Sequence, residues 1–254
     1  FSIDLQNNHK SHLLAFLSFI PARYGYKRKF GFLLNHALAY EKMSQGPVDH
    51  QLRLLKMLDI EAKDSYLELW PNKEDEEYVE KFLNEQWLGV SQILVGLNVS
   101  ASKKWRSKNW PQSYIVRLCE ELALKDVRVV FTGELEDLTW VKEVVDLLKK
   151  AKPIIACGKT SINQLVSLIK RCRVYISPDS APLHIAAAVR TPYIALFGPT
   201  DPKQHLIPGG KGIVFYKNIS CAPCYKPVCT KKECMYAIKP REVLEAVEKL
   251  LNKN

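Results

Sequence analysis

The amino-acid sequence predicts an α/β fold that is built around parallel sheets. Residues 93–254 alternate short apolar segments with amphipathic segments of helical length. This alternation is typical of parallel strands joined by right-handed helical crossovers. The segment at residues 93–97 is wholly apolar, as expected of a strand that is buried on both faces of a parallel sheet.

Each element follows from the hydrophobic periodicity and from the residues that interrupt it. In the first part of the chain we predict the end of a strand at 2–6, a short strand after a turn at 21–26, and helices at 9–19, 50–58 and 73–83. The second part has predicted strands at 93–97, 127–132, 153–156, 174–177 and 193–197. Its predicted helices cover 112–124, 138–148, 161–171, 183–189 and 242–252, and Thr160 or Ser161 is expected to cap the third of them.

The composition is that of a globular protein. The 254 residues are 47% hydrophobic and 25% charged, which excludes a disordered, collagen-like or polytopic membrane protein. The apolar run at residues 13–20 is too short to span a bilayer, and the sequence has no recognisable secretory leader. The chain begins with Phe1 rather than Met, so we expect it to be a piece of a longer protein.

The positive charge is concentrated in the second part of the chain. Residues 1–92 contain 11 Lys and Arg against 13 Asp and Glu, a net charge of −2, whereas residues 93–254 contain 26 against 14, a net charge of +12. Residues 100–110 contain four cations and no acid, namely Lys103, Lys104, Arg106 and Lys108. Such a field attracts phosphates, nucleic acids or anionic membranes, although a solvated loop of a basic protein has the same composition.

The segment at residues 174–188 holds the strongest candidate site. An apolar strand ends before Asp179 and Ser180, either of which is expected to cap the next helix, and Pro182 suits its first turn. That helix begins at the carboxyl end of a parallel strand, where open α/β sheets bind ligands, and its N-terminus favours anions. His184 lies within reach of a bound phosphate or sugar hydroxyl. The structural alternative makes Asp179 a simple cap and His184 a buried core residue.

Three further loops follow predicted strands and carry polar side chains. The loop at 197–202 presents a hydroxyl and a carboxylate between prolines, although it also reads as a structural turn. The loop at 98–111 has hydroxyls and a lysine suited to a diphosphate, and the loop at 132–136 has carboxylates suited to ribose hydroxyls. The candidate residues are Thr200, Asp201, Ser100, Ser102, Lys108, Glu134 and Glu136. The sequence lacks a Walker A motif and a G-x-G-x-x-G fingerprint, which disfavours a P-loop NTPase or a dinucleotide enzyme.

Four of the seven cysteines are clustered near the end of the sequence, at Cys221, Cys224, Cys229 and Cys234. These thiols could ligate zinc or an iron–sulfur cluster, form two disulfides or stay free. Their irregular spacing argues against a zinc ribbon. The remaining cysteines are expected to be inert core thiols, namely Cys119, Cys157 and Cys172.

Taken together, the motifs resemble glycosyltransferase family 9, the ADP-heptose:lipopolysaccharide heptosyltransferases. The specific part of the resemblance is the pair formed by Asp179-Ser180-x3-His184 and the Gly-Pro-Thr-Asp-Pro sequence at 198–202. Weaker matches are the Lys-Asn-Trp-Pro sequence at 108–111, Gly-Lys-Thr-Ser at 158–161, Ile-Asp-Leu-Gln at 3–6, Arg-Tyr-Gly-Tyr at 23–26 and the cysteine cluster. The matches occur in order over nearly the whole chain.

This resemblance implies a GT-B fold of two Rossmann-like domains with parallel sheets. Residues 1–90 would be the remainder of the N-terminal, acceptor-side domain, incomplete at its N-terminus, and residues 91–254 would be the nucleotide-sugar-binding domain. Family members carry, upstream of the segment matched by Asp4, a loop whose aspartate is thought to act as general base. We therefore expect the base to lie upstream of Phe1 and assign no catalytic residue in this sequence.

The resemblance also implies roles for the candidate residues. Asp179, Ser180 and His184 would lie at the diphosphate and the sugar of the donor. Lys108 would face the phosphates, with Ser100 and Ser102 nearby, and Thr200 and Asp201 would belong to the same donor site. Glu134 or Glu136 would accept from the ribose, and Thr160 and Ser161 would border the adenine. One departure is Ala181, where the family usually has glycine.

The activity implied is an inverting transfer of heptose from ADP-heptose to a lipopolysaccharide core acceptor, without a metal or other cofactor. We expect a cytoplasmic protein that uses a lipid-linked oligosaccharide acceptor, with peripheral contact to the anionic inner face of the inner membrane. The alternatives are a binding module that holds a nucleotide sugar without turnover, and an enzyme that uses a different nucleotide sugar. A metal-dependent nucleic-acid module is disfavoured, because aromatic residues are not interleaved with the basic ones.

Overall fold

The strands form two separate sheets, in which every neighbouring pair is parallel. The computed structural model describes residues 1–40, 46–86, 92–206 and 210–252. Within these residues, one sheet has three strands in the order β1-β2-β3, and the other has six in the order β6-β5-β4-β7-β8-β9. The predicted α/β class with parallel sheets is confirmed.

The bounds of the elements are as follows. The strands are β1 Ser2–Ile3, β2 Arg23–Lys27, β3 His36–Ala39, β4 Ile93–Asn98, β5 Val127–Thr132, β6 Ile154–Ile155, β7 Val174–Pro178, β8 Tyr193–Phe197 and β9 Gly212–Tyr216. The helices are α1 His9–Leu17, α2 Pro47–Lys56, α3 Lys73–Glu85, α4 Gln112–Ala123, α5 Leu138–Asp146, α6 Ile162–Arg171, α7 Ala181–Ala188, α8 Pro202–His205, α9 Glu233–Tyr236 and α10 Pro240–Leu251. A short 3-10 segment, Lys103–Lys108, precedes α4.

The six-stranded sheet has the doubly wound order of dinucleotide-binding folds. The chain starts in the middle at β4, adds β5 and β6 on one side, then crosses back to add β7, β8 and β9 on the other. The carboxyl ends of β4 and β7 are therefore adjacent at the point where the winding reverses. In open α/β sheets this switch point is the usual place for a ligand.

Side chains from the central strands alternate between the two faces of this sheet. One face carries Val95, Leu97 and Ile176, which pack with residues of α4 and α10 in a continuous buried cluster. On the other face, Tyr175 is fully buried and its hydroxyl lies 2.5 Å from Thr132 Oγ1. Burial raises the pKa of Tyr175, so this phenol is neutral at physiological pH.

The ring of Tyr175 lies directly over Gly96 of the neighbouring strand. A Cβ at position 96 would lie 2.3 Å from Tyr175 Cδ2 and 2.9 Å from Cys172 Sγ, both well inside van der Waals contact. Position 96 therefore requires glycine for steric reasons. The small residue lets β4 and β7 pair while a large aromatic side chain fills the core above them.

The chain separates into two compact units. The first comprises residues 1–65 and 203–208, and the second comprises residues 66–202 and 209–254. The boundary predicted after residue 90 lies within residues 87–91, which are outside the described residues. Helix α3 belongs to the second unit because it packs on α6, with an ion pair of 2.7 Å between Glu76 and Lys170. By these contacts, residues 66–86 group with the second unit.

In the first unit, α1 begins at a capping box. The Asn8 side chain accepts hydrogen bonds from the N–H groups of Lys10 and Ser11, and Ser11 Oγ accepts from the Asn8 N–H. Within the same unit, Asp4 and His12 are both buried, and Asp4 Oδ2 lies 3.3 Å from His12 Nε2. The backbone after β1 is held by Asp4 Oδ1, which accepts from the N–H groups of Gln6 and Asn7.

Most predicted elements are present, with ends that shift by a few residues. The structure adds β3, β9, α8 and α9, which the sequence pattern did not predict. Helix α7 begins at Ala181 rather than at 183, and α10 begins at Pro240 rather than at 242. Over the described ranges, no helix combines the length and the hydropathy needed to cross a bilayer.

The packing of Tyr175 on Gly96 predicts that Gly96→Ala destabilises the second unit by at least about 1–3 kcal/mol, because the added methyl must displace a fully buried ring. Urea unfolding followed by circular dichroism measures this loss. Gly31→Ala is a useful comparison, since a Cβ there would meet the flexible Lys27 side chain at 3.2 Å. An unchanged unfolding midpoint for Gly96→Ala would contradict the steric explanation.

Candidate functional site

A cleft of about 450 Å³ opens at the carboxyl edge of the six-stranded sheet, at the switch point that the strand order defines. Four of the predicted donor-site residues line it, namely Ser100, Glu134, Thr160 and Ser161. The N-terminal part of α7 forms another wall, with Ala181, Pro182 and Ile185. The cleft therefore combines hydroxyl and carboxylate groups with apolar surface, as small-molecule sites usually do.

Asn98, at the end of β4, connects two walls of this cleft. Its side-chain N–H₂ donates to Ser100 O at 2.7 Å and to Ser180 Oγ at 2.9 Å, with a longer contact of 3.3 Å to Ser177 Oγ. Asn98 itself is buried and lines the cleft. The Ser100 loop and the start of α7 are thus held together by one amide.

Beside the cleft, the structure brings together three predicted residues from three loops. Lys108 Nζ donates to Asp179 Oδ2 at 2.7 Å and to Asp179 O at 3.2 Å, and Thr200 Oγ1 donates to Asp179 Oδ2 at 2.8 Å. The side chains of Lys108 and Asp179 are only 11% and 5% exposed. Lys108 Nζ also lies 4.5 Å from the centre of the Trp105 ring. We call these three residues the Lys108–Asp179–Thr200 cluster.

The predicted cap of α7 is wrong in one respect. Ser180 occupies the N-cap position, but neither its side chain nor that of Asp179 accepts a hydrogen bond from the first turn. The Asp179 carboxylate is engaged by Lys108 and Thr200, and Ser180 Oγ accepts from Asn98. The lysine, the threonine and the amide, rather than the helix N–H groups, are therefore the partners of these two side chains.

The start of α7 offers fewer unpaired N–H groups than a helix N-terminus without a proline. Pro182 has no N–H, and the N–H of Leu183 is already donated to Ser180 O at 3.0 Å. The helix dipole still directs partial positive charge toward the cleft. His184 lies half-buried on the same helix, and its role at the donor stays a prediction.

Asp201 lies near a tyrosine that the sequence pattern did not single out. The Asp201 N–H donates to the Tyr225 hydroxyl at 3.4 Å. Burial, together with the carboxylates of Asp201 and Asp179, raises the pKa of Tyr225. The phenol is therefore protonated at neutral pH and presents a neutral hydroxyl beside two acids.

Ser102 lines a second pocket, of about 420 Å³, which adjoins the cleft at Ser100. Glu136 lies there too, in an ion pair of 3.2 Å with Lys103. A hydrogen bond from the backbone, together with Lys103, lowers the pKa of Glu136. Of the two glutamates considered for the ribose, Glu134 lines the cleft and Glu136 lines the neighbouring pocket.

The loop that carries Thr160 and Ser161 is fixed from both sides. Ser161, one of the two predicted caps, caps α6: its Oγ accepts from the Gln164 N–H. In return, the Ser161 N–H donates to Gln164 Oε1. On the other side, the Tyr78 hydroxyl donates to Lys159 O at 2.6 Å. Helix α3 therefore holds the backbone of a loop that lines the cleft.

The cysteines are all free thiols in the structure. Within the described residues, no group of three or more cysteine, histidine or acidic side chains is arranged to hold a metal ion. In the cluster, Cys221 is exposed, Cys224 and Cys229 are half-buried, and Cys234 is buried. Burial raises the pKa of Cys119, Cys157 and Cys172 to about 12, so these thiols are protonated at neutral pH.

The structure adds residues that the sequence pattern did not select, namely Asn98, Ser177, Asp137 and Tyr225. Asn98 and Ser177 each lie at the carboxyl end of a central strand, and this position could have identified them as site residues from the sequence. Tyr225 could not be selected in this way, because it lies in an irregular segment after β9. Its proximity to Asp201 depends on tertiary packing alone.

The arrangement can bind a ligand that has both an apolar ring and polar groups. Hydroxyls, a carboxylate and a helix N-terminus surround the cleft, and a buried lysine lies beside it. The fold and the cleft together are those of the α/β proteins that bind nucleotides at a topological switch point.

Comparison with known proteins narrows this class. The family model for glycosyltransferase family 9 (heptosyltransferase) matches residues 1–235. Lipooligosaccharide heptosyltransferase 2 of Haemophilus influenzae is 30% identical over 217 residues, which cover 80% of this chain and 61% of the relative. The chain thus belongs to glycosyltransferase family 9, and it spans less than two thirds of the length of such curated relatives.

Solved structures agree with this at the level of the fold. The glycosyl transferase family 9 protein from Veillonella parvula aligns with a TM-score of 0.84 at 23% identity, over 99% of this chain and 73% of that chain. The E. coli ADP-heptose LPS heptosyltransferase II aligns with a TM-score of 0.74 at 22% identity, over 99% and 75% of the two chains. The predicted GT-B type of fold is confirmed.

The buried hydrogen bond from Thr200 to Asp179 predicts that Thr200→Val, which keeps the shape and removes the hydroxyl, lowers the free energy of unfolding by about 1.5–3 kcal/mol. Urea unfolding monitored by circular dichroism gives the difference. Thr139→Val, at an exposed position on α5, should change stability by less than about 0.5 kcal/mol. Equal effects of the two substitutions would show that the hydroxyl does not hold the carboxylate.

Proposed function

We propose that this chain binds ADP-heptose and forms the donor side of an inverting heptosyltransferase. The observation that carries the proposal is the position of the Lys108–Asp179–Thr200 cluster beside a polar cleft at the switch point of the sheet. The names of the relatives support the choice of donor, since one solved neighbour is an ADP-heptose LPS heptosyltransferase.

In the proposed complex, the nucleotide occupies the cleft. Thr160 and Ser161 border the adenine, Glu134 accepts from the ribose hydroxyls, and Ser100 lies toward the diphosphate. The diphosphate then reaches the start of α7, where the helix dipole favours negative charge. His184, Ser180 and Asp201 lie toward the sugar, and Ser102 lies at the edge next to the second pocket.

The proposed reaction forms one glycosidic bond and breaks another. A base removes the proton of the acceptor hydroxyl, whose oxygen attacks the anomeric carbon as the carbon–oxygen bond to ADP breaks. Negative charge grows on the departing diphosphate, and groups that are fixed in place before the reaction stabilise it most effectively. Lys108 suits this role, because an ammonium has three N–H donors and Asp179 engages two of them.

We further propose that the acceptor is a lipid-linked lipopolysaccharide core oligosaccharide at the cytoplasmic face of the inner membrane. The name of the Haemophilus influenzae relative supports this acceptor class. The first unit exposes phenylalanines close in sequence to lysines and arginines, including Phe19 at 86% and Phe32 at 75% exposure. Together with the net charge of +12 in residues 93–254, these side chains suit peripheral contact with anionic lipid. No nucleic-acid partner is proposed.

Replacing Lys108 tests the proposal. Titration calorimetry should show that ADP binds the 254-residue chain, and that Lys108→Ala weakens this binding by about 10- to 100-fold, the value of a hydrogen bond to a charged group. Lys104→Ala, an exposed lysine in the same segment, should bind ADP like the unsubstituted chain. Unfolding midpoints show whether each variant is folded, and Lys108→Arg keeps the charge if the alanine variant is unstable.

The same titrations, together with an assay of heptose transfer, separate the alternatives. Tighter binding of UDP or GDP than of ADP would contradict the ADP-sugar donor. Binding of ADP-heptose by the full-length protein without transfer to a core acceptor would favour a binding module. Full transfer activity in a Lys108→Ala variant would contradict the role given to Lys108.

A further inference from the structure

Residues 219–232, which we call the cysteine segment, contain Cys221, Cys224 and Cys229 and have no role in the proposed donor complex. The segment connects β9 to α9. Its thiols are free, and the described residues contain no arrangement of ligands for a metal ion. Its backbone, however, contacts two of the loops that build the Lys108–Asp179–Thr200 cluster.

The first contact is through Ser107, the residue before Lys108. Ser107 is 1% exposed. Its N–H donates to Pro227 O at 3.0 Å, and its Oγ donates to Lys226 O at 2.6 Å. Two hydrogen bonds from one buried serine thus fix the end of the 3-10 segment that carries Lys108.

The second contact is through Pro199, the residue before Thr200. Pro199 O accepts from the Cys224 N–H at 3.0 Å and from the Tyr225 N–H at 2.8 Å. One carbonyl therefore takes two donors from the cysteine segment, and this fixes the loop that carries Thr200.

A third contact follows at the end of the segment. A Cβ at Gly198 would lie 2.4 Å from Met235 Sδ and 2.9 Å from Cys234 Sγ. The start of α9 thus packs directly against the backbone of the loop that carries Thr200. Burial raises the pKa of Cys234, and the nearby thiols add to this effect, so the sulfur acts there as a neutral packing group.

We propose that the cysteine segment positions Lys108 and Thr200 around Asp179, and that Ser107 is a positioning residue of the nucleotide-sugar site. The inference rests on the proposed function, because ADP is the ligand whose binding reports the position of Lys108. The hydrogen bonds to Ser107 and Pro199 come from backbone groups of the segment. Backbone groups of the segment therefore hold the two loops in position, and no thiol chemistry is required.

A positioning role and a general structural role differ in a double-mutant cycle. Ser107→Ala removes the Oγ hydrogen bond to Lys226 O and keeps the Lys108 side chain itself. If Ser107 acts through Lys108, its loss should matter only when Lys108 is present. If Ser107 merely supports the fold, its loss should weaken ADP binding equally with and without Lys108.

The experiment is calorimetric titration of ADP into four forms of the 254-residue chain: unsubstituted, Ser107→Ala, Lys108→Ala and the double variant. We expect Ser107→Ala to weaken ADP binding by about 10-fold alone and by less than about 2-fold in the Lys108→Ala background, a coupling of about 1 kcal/mol. Ser113→Ala, at an exposed position on α4, is the matched control and should leave ADP affinity unchanged.

Each result decides the inference. Equal losses in the two backgrounds, or no loss in either, would overturn the positioning role while the proposed function stands. Failure of the unsubstituted chain to bind ADP would overturn both. If thermal unfolding shows that Ser107→Ala is not folded, Ser107→Cys keeps the size of the side chain with a much weaker donor, and the same cycle applies to it.

Discussion

The buried contact between the Lys108 ammonium and the Asp179 carboxylate is the constraint on which the rest of the site depends. Burying either charge alone would cost several kcal/mol, and both side chains are almost fully covered. The two residues are 71 positions apart, on the loops that follow β4 and β7. These strands are neighbours only because the sheet is doubly wound. The topology is therefore what allows the two charges to neutralise each other, and the contact in turn fixes both loops.

The same topology explains why the polar residues of the cleft converge. Asn98 ends β4, Ser177 lies near the end of β7, and Thr200 follows β8. Their hydrogen bonds cross between neighbouring loops, so an error in strand order would leave several buried polar groups unpaired. The close packing of Tyr175 on Gly96 sets the pairing of β4 with β7 just below the site. The hydrophobic core and the polar cleft thus rely on the same pair of strands.

Much of the second unit could be predicted from the sequence, because its central strands are continuous apolar runs. The predicted bounds of β5 and β8 are those observed. β9 was not predicted; it is an edge strand, with partly exposed residues. The role of Asp179 as a cap was wrong for a different reason. Local sequence shows the preference of a carboxylate for a helix N-terminus, but it does not show that a lysine from a distant loop engages the carboxylate instead.

Folding changes the surroundings of the cations in residues 100–110, because it pairs two of them with acids from other loops. In the sequence, four cations lie within residues 100–110 without an acid. In the structure, Glu136 pairs with Lys103 and Asp179 pairs with Lys108, and both acids come from loops after other strands. Lys104 and Arg106 remain exposed, where solvent screens their charge. Under the proposed function, the groups left to meet a diphosphate are the third N–H of Lys108, beside the cleft, and the dipole of α7. Recognition of the diphosphate would depend on where these groups are held rather than on the net charge of +12.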